Sequence, residues 1–169
     1  TPTLSNPQQI VGYPGAYWQC TLSFDGLFDE DEREVTALLG RLQGMCGTVN
    51  LPAFTRTRDD NIGAPVIVTA NAQATNMTIG GVTPNAKVFS LGDYITIAGE
   101  MFEVVDDAIS TAQGRVQVFL NKRIRRAIVA GSPVEYRNPY SEMRRSDDTY
   151  QLNVEPVVAN GSFQFREAF

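Results

Sequence analysis

Apolar and polar residues alternate from Tyr17 to Phe24, with Trp18, Cys20, Leu22 and Phe24 on one side and Tyr17, Gln19, Thr21 and Ser23 on the other. A period of two describes a strand with one buried face. The period then lengthens. Val35, Leu38, Leu39 and Leu42 recur at i, i+3, i+4 and i+7, which lays an apolar stripe along one side of a helix. Asp29 is placed to cap its start with Glu32 three residues on, as in a capping box, and Glu30, Asp31 and Glu34 suit the positive end of the dipole. Gly44 supplies the stop. A short strand over Thr48 to Leu51 follows and ends at Pro52.

Thr55 to Gly63 is polar and reads as a mobile loop or hinge. Beyond it no helical period appears. Short strands are predicted at Val66–Thr69, Asn76–Ile79, Tyr94–Ile97, Met101–Val105, Arg115–Leu120 and Val134–Tyr136, punctuated by Gly80-Gly81, Gly92-Asp93, Gly99, Gly114 and Gly131. That spacing suits a small barrel or sandwich. Longer strands return at Tyr150–Val158 and Ser162–Phe169, joined as a hairpin through Asn160-Gly161, with Phe163, Phe165 and Phe169 on one face. The first sixteen residues, with Pro2, Pro7 and Pro14, read as an extended arm.

The helix has an apolar stripe and too few strands near it to cover, and the terminal hairpin can supply the missing sheet. The expected fold is therefore mainly β: a β-sandwich-like sheet with one covering α-helix, plus a small inserted β-barrel. Residues 1–62 and 138–169 form a discontinuous sheet-plus-helix domain, and 63–137 form the inserted barrel.

Composition narrows the function. The 169 residues are 43% hydrophobic, enough for a packed core, and no apolar run approaches a membrane span. The first residues lack the basic start and apolar stretch of a signal peptide, so secretion by that route is not expected. A net charge of −5 disfavours sequence-independent nucleic-acid binding. Histidine is absent, which removes Ser-His and Cys-His catalysis and histidine-ligated zinc. Cys20 and Cys46 are too few for a zinc cluster and read as two buried thiols. No cofactor or metal is expected, and the chain reads as a non-enzyme.

Twelve of the fourteen basic residues are Arg, with only Lys87 and Lys122 besides. Arginine pairs carboxylates bidentately and stacks on rings, so the bias supports interfaces. The acidic cluster Asp25, Asp29–Asp31, Glu32 and Glu34 lacks the order of a calcium loop and fits a solvated helix start. Asp106-Asp107 and Asp147-Asp148 point to opposite faces within each pair, so neither can flank one glycosidic bond. Lys122-Arg123-Ile124-Arg125-Arg126 is the strongest basic cluster, followed by Arg144-Arg145. A solvated turn explains the first. Nucleic-acid contact, with several copies ringed around a channel, is one alternative, and pairing with a neighbour is the better one, since the chain carries its own acidic complement. Asp29, Glu30 and Asp31 against Arg123, Arg125, Arg126, Arg144 and Arg145 are thus the candidate interface residues, and head-to-tail copies bring such patches together.

Trp18 to Phe24, the acidic-capped helix ending Leu42-Gln43-Gly44, and the strand into Leu51-Pro52 resemble the opening of distal tail and related minor tail proteins of long-tailed bacteriophages. Leu91 to Gly99, Phe102-Glu103-Val104 and Gly114 to Val118 are similar to a small barrel of tail components, and Asn160 to Phe169 resembles the closing strand. The resemblance implies a structural virion protein at the tail tip, assembled in the bacterial cytoplasm. It implies a ring, usually of six subunits, joining the tail tube to the hub and to receptor-binding or fibre proteins, with the tape-measure protein nearby. The insertion is smaller than in many relatives, which weighs against direct sugar binding. Another tail or head–tail connector part is the alternative. A carbohydrate-binding module using Trp18 and exposed tyrosines is a further one.

Overall fold

A computed structural model describes residues 15–53, 56–148, 153–154 and 159–168. In chain order the elements are β1 (Gln19–Leu27), α1 (Asp29–Leu42), β2 (Val49–Pro52), β3 (Gly63–Thr69), β4 (Asn76–Val82), β5 (Lys87–Phe89) and β6 (Tyr94–Ile97). They continue with β7 (Glu100–Glu103), β8 (Ala108–Ile109), β9 (Arg115–Phe119), β10 (Tyr140–Arg145), β11 (Asn153–Val154) and β12 (Ala159–Glu167). The fold is mainly β, with one helix among the described residues, as the periodicities indicate.

The alternation in β1 sets one face of the larger sheet. Cys20 opposes Phe165 and Leu22 opposes Phe163 across the antiparallel β1–β12 pair, so their side chains share a face. The strand order is β1-β12-β10-β2, all antiparallel, with β11 on β12. The first and last parts of the chain therefore meet in one sheet. Its apolar face packs against Leu39 and Leu42 of α1, together with Met143, Phe163 and Phe165. The opposite face, with Gln19, Thr21, Ser23, Ser162, Gln164 and Arg166, is open to solvent, as antiparallel sheets permit.

Between these parts the chain curls into a half-barrel of short antiparallel ladders, β3-β4-β9, β5-β8 and β6-β7. Ile79, Phe89, Ile95, Phe102, Val104 and Val118 close its core.

Several local expectations are corrected. The helix starts one residue early: Phe28 is the N-cap and makes no side-chain cap bond, while Glu32 N–H donates to Phe28 O at 2.8 Å. Asp29 is thus the first helical residue, where its charge still suits the dipole. Gln43, not Gly44, takes the first left-handed position, at φ 47°. Gly44 follows at φ +68°, and a Cβ there would lie 2.2 Å from Asp148 Oδ1.

Gly80-Gly81 does not end a strand. Gly81, at φ +75°, lets β4 continue where a Cβ would meet Ala64 O at 2.4 Å, beside a register shift with β3. Asn160-Gly161 also lies inside a strand: β12 runs through it, and Asn153 pairs with Asn160. Val134–Tyr136 contributes only a bridge, Thr96 with Glu135. The strand β10 was hidden under a basic pair.

The segment around Arg58 is a loop, as expected, and it is hydrogen-bonded to its neighbours. Its guanidinium bonds Asp60, Asp93 and Val88 O, and Ile62 is buried. Cys20 is half-buried and Cys46 exposed; Cys46 falls past the helix stripe, in the turn whose N–H returns to Gln43 O. The arm through Pro14, most of Tyr150–Val158 and Phe169 lie outside the described residues.

Candidate functional site

A cluster of four charges joins the sheet to the half-barrel. Glu167 ends β12 in phase with Phe163 and Phe165, so its carboxylate enters the interior, with no exposure. Lys122 is in phase with Val118, Leu120 and Ile124, and its ammonium is buried for the same reason. Lys122 Nζ donates to both Glu167 oxygens, at 2.6 and 2.7 Å. It also lies 3.4 Å from Glu100 Oε1 and 5.0 Å from the centre of the Phe102 ring.

Arg125 completes the set, donating to Glu167 Oε2 at 2.9 Å and to Ala16 O at 2.7 Å, with Glu100 at 3.4 Å. The Trp18 backbone N–H also donates to Glu167 Oε2. Two cations and two carboxylates balance, which a low-dielectric site requires.

Burial shapes the titration of this set. It pushes the Glu100 carboxyl upward, against the pull of Lys122 and Arg125, and Glu167 adds to the rise. Burial likewise pulls the Lys122 ammonium down, against the support of Glu167 and Glu100. Glu167 is held by Lys122 and Arg125 and has no face toward solvent, while Glu100 Oε1 is buried 3.4 Å from both cations without a hydrogen bond.

Beside the cluster lies a groove of about 440 Å³ lined by Trp18, Cys20, Leu51, Arg56, Tyr94, Met101 and Met143, among others. Its aromatics are already engaged. Trp18 Nε1 donates to Met101 O at 2.8 Å, its ring meets Tyr94 edge-on at 5.4 Å, and Arg56 covers Tyr94 at 5.2 Å. A sugar ring stacking here would have to displace Arg56. Among the described residues, no group of three or more Cys, Asp or Glu is placed to hold a metal ion, and no helix is long and apolar enough to cross a membrane.

The structure divides the candidate interface residues. Glu30 and Asp31 are exposed on the first turn of α1; Asp29 opens the helix, and its side chain lies outside the described residues. Arg123 is exposed and donates to Gln73 O, and Arg126 is exposed beside a shallow groove with Ala98, Ile128 and Val129. Arg125 is engaged in the four-charge cluster instead of a solvated turn. Arg145 is 1% exposed, stacked 5.5 Å from Phe163 and bonded to Asp147 at 2.8 Å. Arg144 is half-buried on the opposite face. The paired aspartates serve local structure: Asp107 accepts from Lys87 and Leu91 N–H, and Asp148 from Met45 N–H.

Sequence reading missed the buried pairing of Glu167, Lys122 and Glu100. The signal was present for the first two, since a charge in phase with apolar neighbours on a strand must find a buried partner. No family model matches this chain, and no curated protein matches it either.

Proposed function

We propose that this chain is a structural subunit of a bacteriophage tail tip, non-enzymatic, whose copies form a ring joining the tail tube to the hub and receptor-binding proteins. On this reading residues 1–62 and 138–169 form the ring domain and 63–137 an outward β domain. One observation carries the reading beyond the sequence resemblance. The larger sheet ends in β1 on one side and β2 on the other, and among the described residues neither outer edge has a strand partner. Such edges invite pairing with another chain. The two edges differ, so a β1-to-β2 contact between copies is head-to-tail and closes into a ring when the rotation allows.

Native mass spectrometry and negative-stain imaging of the purified full chain test the proposal. The expected result is a closed ring of one fixed size, most simply six. A monomer at every concentration up to the solubility limit would overturn it.

A further inference from the structure

The open face of the larger sheet carries an arrangement that the ring reading does not require. Arg144 of β10 and Arg166 of β12 are direct partners in the antiparallel register. Side chains so placed have Cβ atoms about 4.5–5.5 Å apart, and like charges there repel. Gln19 lies on the other side of Arg166, giving a row across three strands. Among the described residues, neither arginine makes an ion pair or a side-chain hydrogen bond, and Arg144 Nε is buried without a partner. Glu142 shares the face two residues from Arg144, but its carboxylate is turned to Gly99. Two adjacent guanidinium groups therefore stand uncompensated among the described residues.

The complement is at the start of α1. Glu30, Asp31 and Glu34 are exposed and make no ion pair among the described residues. Phe28, the N-cap, is 62% exposed beside them. Carboxylates flanking a phenyl ring suit arginine, which pairs bidentately and stacks through its plane. Within one chain the two cannot meet: α1 packs on the apolar face with Met143 and Phe165, and the arginines occupy the other.

Resting on the ring reading, we infer that the Arg144–Arg166 pair docks the start of α1 of a second copy, its Phe28, Glu30, Asp31 and Glu34. The contact is heterologous, so it propagates around a ring.

Sedimentation of the full chain tests this with R144E/R166E, with E30K/D31K/E34K, and with their equimolar mixture. Far-UV circular dichroism checks folding, and R144Q/R166Q serves if the reversal unfolds the chain. Each reversal alone is expected to weaken self-association by about a hundredfold, because like charges are brought together. The mixture restores assembly, since each variant then offers the other an opposite charge. Assembly of the arginine variants at wild-type affinity, or a mixture that stays apart while the wild type assembles, overturns this contact and leaves the ring reading standing. A wild-type chain that never associates overturns both.

Discussion

The half-barrel and the larger sheet solve burial differently. Ile79, Phe89, Ile95, Phe102, Val104, Val118 and Ile124 are all fully enclosed. In the sheet region, among the described residues, only the apolar Leu39, Leu42, Met143, Phe163 and Phe165 reach that state, while Cys20, Leu22, Phe24, Val35, Leu38, Val49 and Leu51 remain half covered. One helix about 20 Å long cannot cover four strands. The half-barrel curls upon itself and needs no lid. Stabilisation follows apolar area removed from water, so the half-barrel holds itself together and the sheet leaves work for whatever lies beside it.

The four-charge cluster fastens the two regions. E167A is expected to cost about 3–5 kcal/mol, because it leaves Lys122 buried without its closest partner; urea unfolding measures it. A loss under 1 kcal/mol would mean that water reaches Lys122. Phenylalanine truncations compare the cores directly. F102A, in the closed core, should cost about 3–5 kcal/mol, and F24A, half-covered and 6.2 Å from the Phe163 ring, about 1–2 kcal/mol by its smaller buried area. Equal losses would break the contrast.

Amide exchange sharpens it further. Regions with fewer buried contacts open at lower free energy, so β4 and β9 should exchange more slowly than β1. In an assembled ring that gap should narrow. The smallest effect concerns pH. The Glu100 carboxyl is raised by burial, so the folded state takes up its proton first as pH falls, and this uptake favours folding between the raised value and the ordinary carboxylate one. Its contribution is lost as pH rises through the folded value. E100Q removes it, so the variant should lose stability more steeply on acidification across that window. Asp60, lowered chiefly by its hydrogen bond to Arg58, acts in the opposite sense: its contribution holds above the ordinary aspartate value and fades below it.

Period-two and period-3.6 patterns were enough to place α1, β2, β6, β7 and β9 within a residue or two and β1 within three, because an element that buries one face records that face in its residues. They also indicated that the chain's two ends share a sheet, since the α1 stripe needed one. Turn chemistry misled at Asn160-Gly161 and Gly80-Gly81. Glycine marks backbone freedom, and only the neighbouring strand decides whether that freedom serves a turn or a close approach. The basic run at 122–126 read as one patch, yet the fold sends Lys122 and Arg125 inward, Ile124 into the core, and Arg123 and Arg126 to solvent.

What the amino-acid order determined by itself was local: which segments extend, which one coils, and which face of each is apolar. Pairing was decided only in three dimensions. Glu167 meets Lys122 across 45 residues, and Arg144 meets Arg166 through a ladder register, because contacts so distant along the chain depend on strand order and no local period encodes that order.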